Sequence, residues 1–173
     1  MTQLFKVIKE YDDTQLLHYL HEEIENKGNQ EELMQMMTWN NTDSEDQDQD
    51  AEFIQCSSLQ FALYDHKSNQ VIFKMMDVGG RELIMKENPR KYTALHDICG
   101  SKNPSLDIIT KLIEMGGKEL VMLSNNQLGE SALHIACQNK IPSMDVISKL
   151  IKIGGRELVM MKTKLKSILY CIT

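Results

Sequence analysis

The feature that most constrains this chain is that it repeats itself. Laid on residues 131–161, residues 93–123 are identical at 18 of 31 positions, and the words TALHDIC and SALHIAC open the two copies 38 residues apart. Self-similarity at a fixed period of about 20 to 50 residues marks a stacked repeat architecture. A third copy lies upstream, with SSLQFAL at 57–63 and VGGRELIM at 78–85. LLHYLHEE at 16–23 reads as a worn fourth copy, and SILYCIT at 167–173 sits where the opening word would recur.

Each copy spells helix, break, helix, stop. Leu133, Ala136 and Cys137 follow i, i+3, i+4 spacing, which sets them on one face of a short helix. Pro142 disfavours helix at the residue before it, and Ser143 suits a new N-cap. Asp145 falls in the first turn, where an acid complements the helix dipole. Met144, Ile147, Leu150 and Ile151 give the second helix its apolar stripe, and Gly154-Gly155 ends it. The preceding copy repeats each device with Leu95, Ile98 and Cys99, then Pro104, Ser105 and Asp107, then Leu106, Ile109, Leu112 and Ile113, then Gly116-Gly117. The third keeps Leu59, Ala62 and Leu63, Asn69 as a cap, Ile72, Met75 and Met76, and Gly79-Gly80. KELVML and RELVMM add a short helical turn after the glycines. Neither helix can bury its stripe alone, so the expected fold is an all-α solenoid in which each unit touches its neighbours.

The word T/S-A-L-H-x-x-C resembles the T-P-L-H-x-A signature of ankyrin repeats. KLIEMGG and KLIKIGG are similar to the leucine-rich second helix and glycine end of that family. The resemblance covers roughly residues 57–161 and implies an ankyrin-repeat-like solenoid of stacked helix-turn-helix units. It also implies that His96 and His134 are structural, bonding backbone near the turn, and that Cys99 and Cys137 are small buried positions. Three departures stand out. The repeat is 38 residues by the His96-to-His134 anchor, against about 33 in the family. Ala94 and Ala132 replace the family proline. Lys91 stands where the family glycine belongs, beside Pro89, which predicts a different turn there. The division expected is a degenerate capping repeat at 1–41, an acidic linker at 42–54, repeats at 55–90, 91–128 and 129–162, and a partial repeat at 163–173. Within the first, QLFKVIKEY and TQLLHYLHEEIENK read as two helices with Asp13 or Thr14 as cap, and NQEELMQMM as a third ended by TWNN. Trp39 reads as a packing residue.

The formal net charge of −6 is concentrated in one place. Residues 42–52 hold six of the 25 acids and no base, and the remaining 19 acids face 19 bases. That stretch reads as a solvated loop. A basic patch of the kind that holds nucleic acid is missing, and no apolar run approaches membrane-spanning length. The N-terminus lacks the apolar stretch of a secretory signal. Cys56, Cys99, Cys137 and Cys171 are not closely spaced, which points to reduced thiols and an intracellular location, cytoplasmic or nuclear. The two His-x-x-Cys pairs have the right atoms for zinc, but four ligands would have to converge from two helices about 8–10 Å apart. No metal or other cofactor is therefore expected. No nucleotide-binding glycine motif, nucleophile elbow or HExxH is present. The residues that recur serve recurring architecture, so no catalytic set is assigned.

Function is expected on the surface that such a solenoid lends to another protein. The resemblance implies contact through the exposed side of each first helix and the connector tips. By position these are Phe61, Asp97 and Ile135, which follow the LH word, and the tip residues Asn88, Arg90, Asn125, Asn126 and Gln127. Phe61 and Ile135 would be apolar anchors. The first reading is thus a non-catalytic protein-binding module, as scaffold or inhibitor. The second, structural, reading is a terminal piece of a repeat array that self-associates through the stripe Leu165, Ile168, Leu169 and Ile172.

Overall fold

A computed structural model describes residues 3–40 and 53–164, with side-chain surroundings for 3–35 and 55–164. Its contacts divide the chain into two compact units, Met1–Pro89 and Arg90–Thr173. The protein is helical, with one two-stranded antiparallel ladder among the described residues. The acidic stretch 42–52 and the stripe Leu165, Ile168, Leu169 and Ile172 lie outside the described residues, as does the side chain of Trp39.

The second unit holds the two clean copies. Helices α6 (Ala94–Gly100) and α7 (Leu106–Met122) form one pair, and α8 (Ala132–Gln138) and α9 (Met144–Val159) the next. The first helices pack on each other, α6 on α8, and so do the second helices, α7 on α9. Ser105 and Ser143 cap α7 and α9 by accepting from the backbone N–H groups of Ile108 and Val146. Their apolar faces are shifted from the expected stripes. Ile108, Ile109, Leu112 and Ile113 are buried in α7, and Val146, Ile147 and Leu150 in α9. Leu106, Met144 and Ile151, expected inside, are 39%, 68% and 37% exposed. The register has moved because Ile108 and Val146 point inward, and a first-turn residue two positions earlier then lies off the buried face.

The paired glycines do two different jobs. Gly80, Gly117 and Gly155 have φ of 59°, 69° and 65° with ψ near −160°. That region is open essentially to glycine alone. It breaks each second helix in mid-course, so the G-G-R/K-E-L word starts a new helical turn in another direction. The leucine of that word then folds back to the core. A Cβ on Gly79, Gly116 or Gly154 would sit 2.7, 2.7 and 2.4 Å from the Cβ of Leu83, Leu120 and Leu158. Only hydrogen leaves room for those leucines, each at most 1% exposed.

In the first unit, α4 (Ser58–Tyr64) and α5 (Asn69–Ile84) form the third copy. Ser68, one residue before the expected Asn69, is the α5 cap. Helix α1 (Gln3–Glu10) packs on α4, and α2 (Asp13–Tyr19), continued by wider π-type turns over Leu20–Asn26, packs on α5. First helix meets first helix and second meets second, as in the other unit. The α2 cap is Asp12, not Asp13 or Thr14, in a reciprocal capping box with Gln15. Asp13 instead accepts from the backbone N–H of Ser68 at 3.2 Å, and Glu25 pairs with Lys74. The helix expected over NQEELMQMM is only α3 (Glu31–Met34). Met36–Asn40 (β1) turns to strand and pairs with Phe53–Ser57 (β2), with Trp39 opposite Ile54. A four-residue helix has too few internal hydrogen bonds to compete with a five-residue ladder.

Candidate functional site

Both LH words begin at a capping box. Thr93 and Ser131 are the N-caps of α6 and α8, and each histidine occupies the third helical position. The Nδ1 of His96 accepts from the backbone N–H of Thr93 at 3.1 Å, and that of His134 from Ser131 at 3.2 Å. The hydroxyls of Thr93 and Ser131 lie 2.9 and 2.8 Å from the same nitrogens. In α4 the device recurs with Ser57 as cap and Gln60 in place of histidine, its Oε1 accepting from the Ser57 N–H at 2.9 Å. The histidine's work here is therefore that of an amide oxygen. His96 is 1% exposed, its Nε2 is buried without a hydrogen-bond partner among the described residues, and the backbone of Leu123 and Glu130 partly offsets the effect of burial on the ring. Burial lowers its pKa to about 4, so the ring is neutral at physiological pH. Burial also pushes the Cys99 thiol up to about 12, which keeps it a protonated packing group. No disulfide joins the described cysteines, and no cluster of three metal-binding side chains occurs among the described residues.

The connector between α7 and α8 is organised by one side chain. Asn125 Oδ1 accepts from the backbone N–H groups of Leu128, Gly129 and Glu130 at 2.9, 3.1 and 3.4 Å. Its Nδ2 donates to Tyr92 Oη and Glu130 Oε2, both at 3.1 Å. The Asn125 N–H meets the Glu130 carbonyl at 2.9 Å, and Ser124 bridges Ser131. Glu130, 6% exposed, accepts from Gln138 Nε2 at 2.8 Å through its other oxygen. The result is a closed turn whose tip, Asn126 and Gln127, stands in solvent. A second bond, Asn126 N–H to the Arg90 carbonyl at 3.1 Å, ties that tip to the preceding connector.

Two expected contact residues are thereby corrected. Asn125 is 2% exposed, because its amide is consumed in holding the turn. Phe61 is 2% exposed, because Phe5 of α1 lies on it with ring centroids 4.4 Å apart. Asp97, Ile135, Asn88 and Arg90 are half-exposed. Ile135 leans on the neighbouring helix, its Cγ2 only 3.2 Å from where a Cβ on Gly100 would stand. Leu95, Cys99, Leu133 and the first glycines Gly116 and Gly154 are buried, and Cys137 is half-buried. Lys91 has φ of 60°, beside 71° for Gly129 one repeat later. The turn there was expected to differ, yet at this residue the lysine adopts the glycine's conformation. Tyr92, Glu130, Gln138 and Asn139 were missed. Asn139 donates to the carbonyls of Cys99 and Ser101 at 3.3 and 2.7 Å, linking successive helix pairs. An acid or amide beside a cap is common in any helical chain, so only the fold singles these out. Comparison with family profiles, with curated proteins and with solved structures found no match. No helix among the described residues is long and apolar enough to cross a membrane.

Proposed function

We propose that this chain is a non-catalytic protein-binding module, built as an ankyrin-repeat-like solenoid that offers its first helices and connector tips to a partner protein. The observation that carries the reading is the connector at 123–131. A buried side chain, Asn125, bonds three backbone N–H groups and Glu130 of the turn as well as Tyr92 of the preceding connector, and the two residues beyond it are held in solvent on a fixed frame. Preorganised tips lose little conformational entropy when they bind. Asp97 and Ile135 occupy the same position in successive capping boxes and differ in chemistry, as recognition positions on a common framework do. Phe61 and Asn125 are withdrawn from the surface, which leaves Asp97, Ile135, Arg90, Asn126 and Gln127 in the second unit.

Affinity capture from the source cell tests this, with bound proteins quantified for the wild type and for the triple variant Asp97→Ala, Asn126→Ala, Gln127→Ala. The variant should keep its helical circular dichroism and lose a specific set of bound proteins. An unchanged set would defeat the surface assignment.

A further inference from the structure

The fold gathers on one edge four cations that the sequence scatters over residues 90–164. Three connector segments of the second unit lie side by side. The Asn126 N–H donates to the Arg90 carbonyl at 3.1 Å, and the Lys164 N–H to the Leu128 carbonyl at 2.6 Å. Residues 90–92, 124–130 and 162–164 hold the bases Arg90, Lys91, Lys162 and Lys164 and one acid, Glu130. Glu130 is 6% exposed, and its two oxygens accept from Asn125 and Gln138. Arg90 shares the surroundings of Tyr92 with Asp97. Lys91, Lys162 and Lys164 are exposed and meet no carboxylate among the described residues. Lys164 Nζ instead reaches the Asn126 carbonyl. Exposed Asn126 and Gln127 therefore stand between two cationic segments, in a chain of net charge −6. This arrangement does not depend on an open end. Residues 90–92 are already flanked by the next connector, yet Lys91 is exposed. A further segment beside residues 162–164 would lengthen the row in the same way. Residues 165–173 contain one base and no acid, so they cannot neutralise it.

We propose that this edge holds an acidic segment of a partner protein in extended form, with its carboxylates on the lysines and its backbone along Asn126 and Gln127. The proposal rests on the reading of the connector tips as a contact surface and adds the chemistry of what they contact. Packed helices stand about 8–10 Å apart, so three neighbouring connectors cover about 20 Å, the length of about six extended residues. Exposed ion pairs contribute little each, but several on a preformed row set orientation and exclude a basic segment. Lys91 favours this use over a structural one. It holds φ of 60°, a conformation unfavourable for a residue with a β-carbon, and no hydrogen bond or ion pair of its ammonium among the described residues offsets that. A peptide is favoured over nucleic acid because bases stack on aromatic platforms. Tyr92, the aromatic residue of these segments, is half-buried with its Oη tied to Asn125.

The test is fluorescence anisotropy of fluorescein-labelled hexaglutamate titrated with the full chain at about 50 mM sodium chloride, where charges in contact are little screened. Binding should be saturable. Lys91→Glu with Lys164→Glu should weaken it about tenfold. Lys140→Glu with Lys152→Glu, the same change of charge at exposed positions away from the edge, should cost less than about twofold. Lys91→Gly should weaken it about threefold with the helical circular dichroism unchanged. No saturable binding, or equal losses in the two double variants, would overturn the proposal. Tighter binding of a hexathymidylate would overturn it in favour of nucleic acid. Binding seen only after residues 41–52 are replaced by Asn-Gly would do so in favour of the chain's own acidic stretch. In each case, loss of captured proteins by the Asp97, Asn126 and Gln127 triple variant would still support the tips as a contact surface.

Discussion

A buried neutral histidine makes stability depend on pH in a defined window. The pKa of His96 is lowered to about 4, whereas an unfolded histidine titrates near 6.5. Above about pH 6.5 neither state binds the proton, and the full stability is present. As pH falls from about 6.5 to about 4, the unfolded chain takes up a proton that the folded chain refuses, so stability is lost across that window, by about 3 kcal/mol in all. Gln60 does the same capping work in α4 without titrating. His96→Gln should therefore keep the cap and flatten the difference in urea midpoint between pH 7.5 and pH 4.5, relative to wild type. An equally steep decline in the variant would place the acid sensitivity elsewhere. Lys91 invites a second substitution. A β-carbon at φ of 60° costs about 1 kcal/mol, and Gly129 shows the residue that avoids it. Lys91→Gly should raise the melting temperature by no more than about two degrees, because the entropy that glycine adds to the unfolded chain offsets most of the gain. Asn125→Ala should do the opposite by about 2–4 kcal/mol in urea unfolding, because it removes the acceptor for three backbone donors and strands a buried Glu130 oxygen.

Among elements, the glycine break in each second helix decides the course of the repeat. At Gly117, φ of 69° with ψ of −165° admits no β-carbon without strain of about 1–3 kcal/mol. Gly117→Ala should lower thermal stability by that amount, and Gly116→Ala should do so through its clash with Leu120. A variant as stable as wild type at Gly117 would mean that the second helix can run straight. These elements were legible because their signals are local. Ser105 and Ser143 announce helix starts, Gly-Gly announces the break, and the added turn after it is written in R/K-E-L. What escaped was non-local. Strands β1 and β2 are separated by twelve residues dense in acids, so nothing near either one reveals the partner that makes it a strand. Phe61 looked like Asp97 and Ile135 by position, and it is Phe5, fifty-six residues earlier, whose ring lies on it. Asn125 looked like its neighbour Asn126, since the difference between a turn's hub and its tip is a matter of which donors surround the amide.

At the scale of the whole molecule, the acidic stretch and the helical pairs carry separate properties. The ladder of β1 and β2 ends at the pair Asn40 and Phe53, so twelve residues close a gap that a two-residue turn can span. Closing the longer loop costs about 1.5 kcal/mol more in chain entropy. Replacing residues 41–52 by Asn-Gly should thus leave the melting temperature unchanged or slightly raised. The same change removes six acids and no base, taking the formal net charge from −6 to zero. A protein near zero net charge associates more readily, so the shortened chain should precipitate at lower polyethylene glycol concentration at pH 7 despite its equal or greater stability. Calorimetry and a precipitation series separate the two effects. A lowered melting temperature would show that the acidic residues contribute contacts to the fold, and the division of labour between a charged insertion and a nearly neutral repeat framework would then be wrong.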